Sequence, residues 1–182
     1  MIRDLGDGLV LSPLVSDDAE ELFTLTDRNR EHLSYWLPWV PFVREIGDSL
    51  EFITGCEAAL SKGERTELAV RWNGRIAGVL GTHELHANRV WVSLGYWLGK
   101  EYEGKGLMVR SANALVEHLF RDLGFHRVEI RCEPENLRSR AIPERLGFRQ
   151  EGTLRGNGKI GGRFHDSMVY GMLSHEWNSQ VD

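Results

Sequence analysis

Residues 91–123 carry the sequence WVSLGYWLGKEYEGKGLMVRSANALVEHLFRDL. Its first part, Trp91–Leu98, predicts a strand, and a glycine-rich loop follows over residues 99–106. Apolar residues then recur at helical spacing over Leu107–Leu123, and Gly124 is a typical helix stop. Such a loop leaves backbone N–H groups free at the positive end of the helix dipole, and this arrangement binds phosphate.

Three interpretations of the loop are open from these residues alone. In the first, Gly99, Gly104 and Lys105 match the spacing of a nucleotide P-loop, but Gly106 stands where a P-loop needs Ser or Thr to hold Mg²⁺. A Rossmann motif also fails, because Val109 occupies the position of its third glycine. The second is a coenzyme A pyrophosphate site, which needs backbone amides and no metal, and the third is a tight turn without a ligand.

The composition is that of an ordinary globular protein, with 41% hydrophobic and 27% charged residues among 182. This length predicts one domain over residues 1–182, which would bury roughly 70% of its unfolded surface. A net charge of −5 disfavours nucleic acid as a partner. Cys56 and Cys132 are too few for a disulfide framework or a metal site, so we expect buried free thiols and no metal. The sequence has no signal peptide and no membrane-spanning run, which favours a cytoplasmic protein.

The first part of the chain predicts one strand and two helices. The strand covers Leu9–Leu14, and Ser16 or Asp17 can cap a helix that runs to about Leu33. Asp48, with Glu51 as its capping-box partner, is predicted to cap a second helix that ends at Gly63.

Between these helices, Tyr35–Phe42 contains four aromatic residues, and its two prolines exclude a helix. Two compatible interpretations are a hydrophobic plug over the core and an aromatic wall of a substrate site.

A strong turn signal, Asn73-Gly74, joins the predicted strands Thr66–Trp72 and Arg75–Glu84. A second turn at Ala87-Asn88 leads to the strand Trp91–Leu98, which predicts an antiparallel meander. The long helix must then return the chain to a neighbouring strand by a right-handed crossover.

That next strand, Arg127–Glu133, alternates apolar and charged residues, so its charged face should open to solvent or to a cleft. A last helix is predicted over residues 136–147, followed by a strand over Phe148–Arg155. A glycine-rich loop then leads to a final strand, Arg163–Leu173.

Several short motifs occur in a fixed order along nearly the whole chain, and together they are more specific than any one of them. They are Leu94-Gly95-Tyr96-Trp97-Leu98, Glu103-Gly104-Lys105-Gly106-Leu107, Glu135-Asn136-Leu137-Arg138-Ser139, Leu146-Gly147-Phe148, Glu151-Gly152 and Phe164-His165-Asp166-Ser167 to Tyr170. In this order the chain resembles the GNAT N-acetyltransferases, and within them the ribosomal-protein N-terminal alanine or serine acetyltransferases.

The resemblance implies an α/β (α+β) fold with a mixed, centrally splayed sheet of six to seven strands and about four helices. It implies acetyl-CoA as the donor and a primary amine, such as a protein N-terminus, as the acceptor. Backbone amides around Gly104, Lys105 and Gly106, between Glu103 and Leu107, should bind the pyrophosphate. The strand end at Trp97 and Leu98 should lie along the pantetheine, with one amide holding the thioester oxygen. Asn136 should hydrogen-bond the pantetheine, and Ser139 should lie near the sulfur.

Three positions depart from the pattern of the family. Glu101 stands where family loops usually carry Gln or Arg, which would add repulsion towards phosphate. Pro143 replaces a tyrosine that protonates the leaving thiolate in many GNAT enzymes, so the resemblance assigns that role to Ser139. Ser93 replaces a glutamate of the fourth strand, so no strong base is matched.

An α-amine, with a pKa of about 7.7–8.0, needs less help to lose its proton than lysine at about 10.4, so the missing base favours an N-terminal acceptor. Candidate bases are Glu84, His86 and Asp166, although each can equally be a surface or loop-anchoring residue. We expect direct transfer without an acyl-enzyme, because neither cysteine is predicted near a base. A small-molecule amine acceptor and a non-catalytic CoA-binding module are the alternatives, and a homodimer is compatible with the sequence.

Overall fold

The computed structural model describes residues 2–86 and 88–178. Within them eight strands form one sheet in the order β1-β2-β3-β4-β5-β6-β8-β7. The strands are β1 (Arg3–Asp4), β2 (Leu9–Pro13), β3 (Glu67–Trp72), β4 (Arg75–Leu85), β5 (Trp91–Leu98), β6 (Arg127–Cys132), β7 (Arg149–Ile160) and β8 (Arg163–Leu173).

Six α-helices accompany these strands in the described residues. They are α1 (Ala19–Arg28), α2 (Arg30–Ser34), α3 (Ile46–Ser61), α4 (Leu107–Arg121), α5 (Leu137–Arg145) and α6 (Ser174–Asn178). The mixed α/β fold is therefore confirmed, with one strand and two helices more than the sequence predicted. No helix in this part of the chain is long and apolar enough to span a bilayer.

The chain divides into two compact units, and β4, β5 and α4 contribute residues to both. The first unit comprises residues 2–81 and 96–111. Its antiparallel β3–β4 hairpin turns at Asn73 and Gly74, whose φ angles of 50° and 78° are those of the turn that the Asn-Gly pair favours. The core of this unit packs α1 and α3 against β3 and β4 through Leu22, Leu25, Ile53, Ala69, Ile76 and Val79.

The second unit comprises residues 82–86, 88–95 and 112–178. Here β5 and β6 are parallel, as the crossover through α4 requires. Their pairing runs from Trp91 with Arg127 to Leu94 with Ile130, whereas β5 continues to Leu98, as the splay of the sheet implies. On the other side β8 pairs antiparallel with both β6 and β7.

Several local predictions were wrong. The first helix does not run unbroken to Leu33, because Asn29 leaves the helical conformation with φ −105° and ψ 12°. Asp48 does not cap α3 but lies at its third position, where its carboxylate accepts hydrogen bonds from the N–H groups of Arg44 and Glu45 at 2.7 and 3.0 Å.

The prediction of a glycine-rich loop after Arg155 was also wrong. Gly156 and Gly158 belong to β7, and the turn lies at Gly161-Gly162. The charged face of β6 is not open throughout: Glu129 is buried and pairs with Arg127 and Arg131 at 2.7 and 2.6 Å. Of the predicted turn at Ala87-Asn88, Ala87 lies outside the described residues.

Candidate functional site

The loop between β5 and α4 lies in the first unit and has the conformation that phosphate binding requires. A single 3-10 turn, Lys100–Tyr102, is followed by Gly104 and Gly106 with φ angles of +74° and +71°. Glycine adopts such angles without steric cost, because it has no Cβ. None of the described residues offers an acceptor to the N–H groups of Gly104, Lys105 and Gly106. These groups, with the first turn of α4 behind them, are donors of the kind that bind an anion without a metal.

The acidic residues of this loop pair with side chains at the junction of α1 and α2. Glu101 forms an ion pair with Arg28, and His32 Nε2 lies 2.8 Å from Glu103 Oε1. Between them, the side-chain oxygen of buried Asn29 accepts the N–H of Lys100 at 2.9 Å. The repulsion expected from Glu101 is therefore compensated.

We expect His32→Ala to weaken acetyl-CoA binding about tenfold, because the Glu103 carboxylate would lose its contact with His32 beside the loop that we expect to bind phosphate. Isothermal titration calorimetry measures the effect, and His118→Ala, which removes a histidine paired with Asp122 on α4, is the matched control. Adding Glu103→Gln to His32→Ala should restore most of the affinity. An unchanged dissociation constant in the single variant would contradict this role.

The side chain of Lys105 points to an aromatic neighbour. Its Nζ lies 5.4 Å from the ring centre of Trp72, which also meets Tyr102 edge-on at 6.2 Å. A cation held over a ring face is stabilised there. We therefore expect the backbone N–H of Lys105, and not its ammonium group, to contact a phosphate.

The end of β5 lies against a glycine of the neighbouring strand. A Cβ at Gly78 would lie 2.1 Å from the carbonyl oxygen of Trp97 and 2.9 Å from Cα of Leu98. The hydrogen bond from Gly99 N to Ala77 O, at 2.9 Å, fixes the same strand end. Gly78 thus permits the close backbone approach that sets the position of Trp97 and Leu98.

Aromatic residues adjoin this strand end. Trp39 and Trp97 have ring centres 5.9 Å apart, and Arg30 of α2 holds the aromatic segment by donating to Val40 O at 2.9 Å and Val43 O at 2.7 Å. Val40 is fully buried, whereas Phe42 is 71% exposed. The segment therefore has a buried anchor, as a plug over the core requires, and an exposed aromatic face, for which the role of a substrate wall stays a prediction.

In the second unit, the connection from β6 to α5 carries the other predicted cofactor residues. Asn136 caps α5, with its side-chain oxygen accepting the N–H of Ser139 at 3.0 Å. The Ser139 hydroxyl donates to the sulfur of Cys132 at 3.2 Å. Ser139 is thus held by its backbone and keeps a rotatable O–H, while Cys132 and Cys56 are buried free thiols as expected.

The three candidate bases lie in the second unit, and none has the environment of a strong base. Glu84 is 55% exposed and pairs with Arg131 at 3.2 Å. Asp166 is exposed and accepts the N–H of Gly156 at 2.9 Å, which is the loop-anchoring role considered above. His86 is exposed.

The second unit also contains a histidine–carboxylate pair that local sequence patterns do not predict. His165 Nδ1 is 3.2 Å from Glu133 Oε2, and both side chains are mostly buried. Burial raises the pKa of the Glu133 carboxyl, an effect that the charge of His165 opposes. The two residues are 32 positions apart, so only the pairing of β6 with β8 could have revealed them. The described residues contain no cluster that could hold a metal ion.

Comparison with known proteins agrees with this geometry. The model of the acetyltransferase (GNAT) domain matches residues 8–149. The putative ribosomal N-acetyltransferase YdaF of Bacillus subtilis is 32% identical over 170 residues, covering 90% of each chain. The ribosomal-protein-serine acetyltransferase of Escherichia coli is 22% identical over 169 residues, covering 93% of this chain and 94% of its own.

Among solved structures, the microcin C7 self-immunity acetyltransferase MccE, in complex with acetyl-CoA and AMP, superposes with a TM-score of 0.89. It is 28% identical, and the match covers 93% of this chain and 94% of that one. The family match and these relatives indicate acetyl-CoA as the acetyl donor, and the free amides of the loop are compatible with it. The chain therefore belongs to the GNAT acetyltransferase family and is an acetyl-CoA-dependent N-acetyltransferase.

Proposed function

We propose that the acceptor is the α-amine of a protein N-terminus, as on a ribosomal protein. The observation that carries this proposal is the similarity along nearly the whole chain to acetyltransferases named for ribosomal proteins. The exposed or paired state of Glu84, His86 and Asp166 supports it, because an α-amine is already partly neutral near neutral pH and needs a weaker base than a lysine does.

In the mechanism we propose, the amides of Gly104, Lys105 and Gly106 bind the pyrophosphate, and Asn136 offers its side-chain N–H group to the pantetheine. An amide at the Trp97-Leu98 strand end donates to the thioester oxygen, where negative charge develops during attack. One preorganised donor of this kind contributes about 3 kcal/mol to transition-state stabilisation. The amine attacks the carbonyl carbon directly and the C–S bond breaks. The departing thiolate takes a proton from the Ser139 hydroxyl, which regains one from the acylated nitrogen, so that the amide and the CoA thiol are both neutral.

Acetyl transfer to peptides tests the acceptor class. Peptides with N-terminal serine or alanine should release CoA thiol and gain one acetyl group at the α-amine. The same peptides blocked at the N-terminus but carrying an internal lysine should not react. Reaction with the lysine alone, or with spermidine alone, would contradict the proposal.

Ser139→Ala should lower kcat about 100-fold, since loss of a general acid typically costs this much or more, and should leave acetyl-CoA affinity within about twofold. Steady-state kinetics and calorimetry separate the two quantities, with the exposed Ser61→Ala as the control. An unchanged kcat would remove Ser139 from the mechanism. Since Cys132 touches Ser139, intact mass after mixing with acetyl-CoA is a further check, and a stable acetyl-Cys132 would contradict direct transfer.

A second candidate acceptor is a small amine that carries a nucleotide. MccE binds AMP together with acetyl-CoA, and the exposed rings of Tyr35, Trp39 and Phe42 offer stacking faces here. Quenching of tryptophan fluorescence by AMP, lost in Trp39→Ala, would favour this acceptor over a peptide.

We also propose that residues 1–182 form a single acetyltransferase domain that acts in the cytoplasm. The span of the family match and the strands shared by both units support one domain. The homodimer that the sequence allows, through the aromatic segment and the late glycines, is a prediction that light scattering after size exclusion can test.

A further inference from the structure

One face of the sheet in the second unit carries a row of charged side chains. On β6 these are Arg127, Glu129 and Arg131, and ion pairs extend the row to Glu151 and Glu84. Each carboxylate of this row that the structure describes is matched by a guanidinium group at 2.6–3.2 Å. These carboxylates are therefore engaged by arginine side chains.

His165 continues this face on β8. Cys132 lies opposite Met168 and Arg131 opposite Val169, so alternation places His165 on the same face as Val169 and Arg131. The residue opposite His165 on β7 is Gly158, which has no side chain to cover the ring. The ring therefore belongs to the polar face and not to the apolar core around Met168 and Tyr170.

The two nitrogens of His165 differ in their surroundings. Nδ1 faces Glu133 Oε2 at 3.2 Å, whereas Nε2 is buried and has no hydrogen-bond partner among the described residues. A carboxylate at Nδ1 fixes the tautomer that carries a proton on Nδ1 and a lone pair on Nε2. A buried nitrogen without a partner costs free energy, so a partner in the working complex is expected.

Glu133 also connects this pair to the residues of acetyl transfer. It directly follows Cys132, which contacts Ser139, and its carbonyl oxygen accepts the N–H of Asn136 at 3.0 Å. The same short connection therefore carries Asn136, Ser139 and the carboxylate that orients His165.

We propose that His165 is the general base of the acetyl transfer and that Glu133 is its positioning residue. Nε2 takes a proton from the acceptor ammonium group, directly or through one water molecule, and the neutral amine attacks the thioester carbonyl. The imidazolium is stabilised by Glu133 and returns its proton to solvent after the thiolate has left. This inference rests on the acetyltransferase activity and not on the identity of the amine.

The test compares two amines across the pH range for the wild type, His165→Ala and His165→Asn. One amine is a peptide with N-terminal serine, and the other is hydroxylamine, which is already neutral near pH 7 and needs no base. With the peptide, both variants should lose about 100-fold in kcat/KM, and imidazole in the buffer should restore part of the loss in His165→Ala. With hydroxylamine both variants should stay within about threefold of the wild type, since this amine needs no deprotonation before it attacks.

Glu133→Gln keeps a hydrogen-bonding group but removes the charge, so the acid limb of its pH profile should move to lower pH. Glu135, whose charge acts on Glu133, is unchanged in this variant. The exposed His175→Ala is the control and should match the wild type with both amines.

The outcomes separate the two proposals. If the wild type leaves the peptide unmodified, the N-terminal acceptor is wrong, and spermidine replaces the peptide in the same comparison. His165 is not the base if its variants have the same kcat/KM as His175→Ala with the charged amine. It is also not the base if kcat/KM falls by the same factor with both amines. His165→Asn, which preserves a donor to Glu133, maintains the test if His165→Ala does not fold.

Discussion

Replacement of Gly78 by alanine is expected to lower kcat/KM for acetyl-CoA about 100-fold, which is the usual effect of losing one oxyanion donor. The new Cβ would lie 2.1 Å from the carbonyl oxygen of Trp97, a distance that requires one of the two backbones to move. Because the obstacle is backbone, no side-chain rotation can relieve it. The displaced segment, Trp97-Leu98, is the one we propose to hold the thioester oxygen.

Gly55→Ala is the matched control for this variant. Gly55 lies in α3 and has no atom within 4 Å of a new Cβ, so alanine there should leave activity unchanged and stabilise the helix by up to about 1 kcal/mol. Both variants are compared at a temperature where circular dichroism shows them folded. A Gly78→Ala enzyme with wild-type kcat/KM would mean that the strand end does not position the thioester.

Local patterns in the sequence were enough to predict the elements around the loop. The Asn73-Gly74 turn, the strand β5 and the helix α4 each follow from residues that are close in sequence, and the structure confirms them. β7 was misjudged because Gly156 and Gly158 are typical of a loop, while pairing with β8, including two register shifts, extends the strand through them.

The residues that complete the site could not be predicted in this way, because their partners are distant in the chain. His32 and Glu103 are 71 residues apart, as are Asn29 and Lys100. Glu101 therefore suggested repulsion from phosphate, since nothing in the sequence connects it to Arg28. The same applies to Glu133 and His165, whose relationship depends on strand pairing.

A buried carboxylate of the first unit has a consequence for stability. Glu67 begins β3 with its side chain over Gly81, where a Cβ would lie 1.9 Å from Oε2. Burial raises the pKa of Glu67 to about 7, although Arg65 opposes the shift. Burial, and next the charge of Glu67, also raise the pKa of the Cys56 thiol to about 11, so this thiol stays protonated and unreactive near neutral pH.

Glu67→Gln is expected to stabilise the protein at alkaline pH and not at acid pH. The folded-state pKa of about 7 exceeds the reference value of 4.5, so the folded state binds more protons between these values. Stability is therefore full below about pH 4.5 and decreases as the pH rises through about 7. The shift corresponds to about 3 kcal/mol of unfolding free energy at pH values above this window, at about 1.36 kcal/mol per unit. Glutamine fills the same space without a charge and should recover most of that free energy.

Urea unfolding at about pH 4.5 and about pH 8.5 measures the difference, with equal m-values as the check on two-state behaviour. The two proteins should differ by less than about 0.5 kcal/mol at the lower pH and by about 3 kcal/mol at the higher one. Glu64→Gln, a change at an exposed residue nearby, should show no such pH dependence. A Glu67→Gln effect of the same size at both pH values would mean that the carboxylate is ionised in the folded state throughout, with Arg65 compensating its burial.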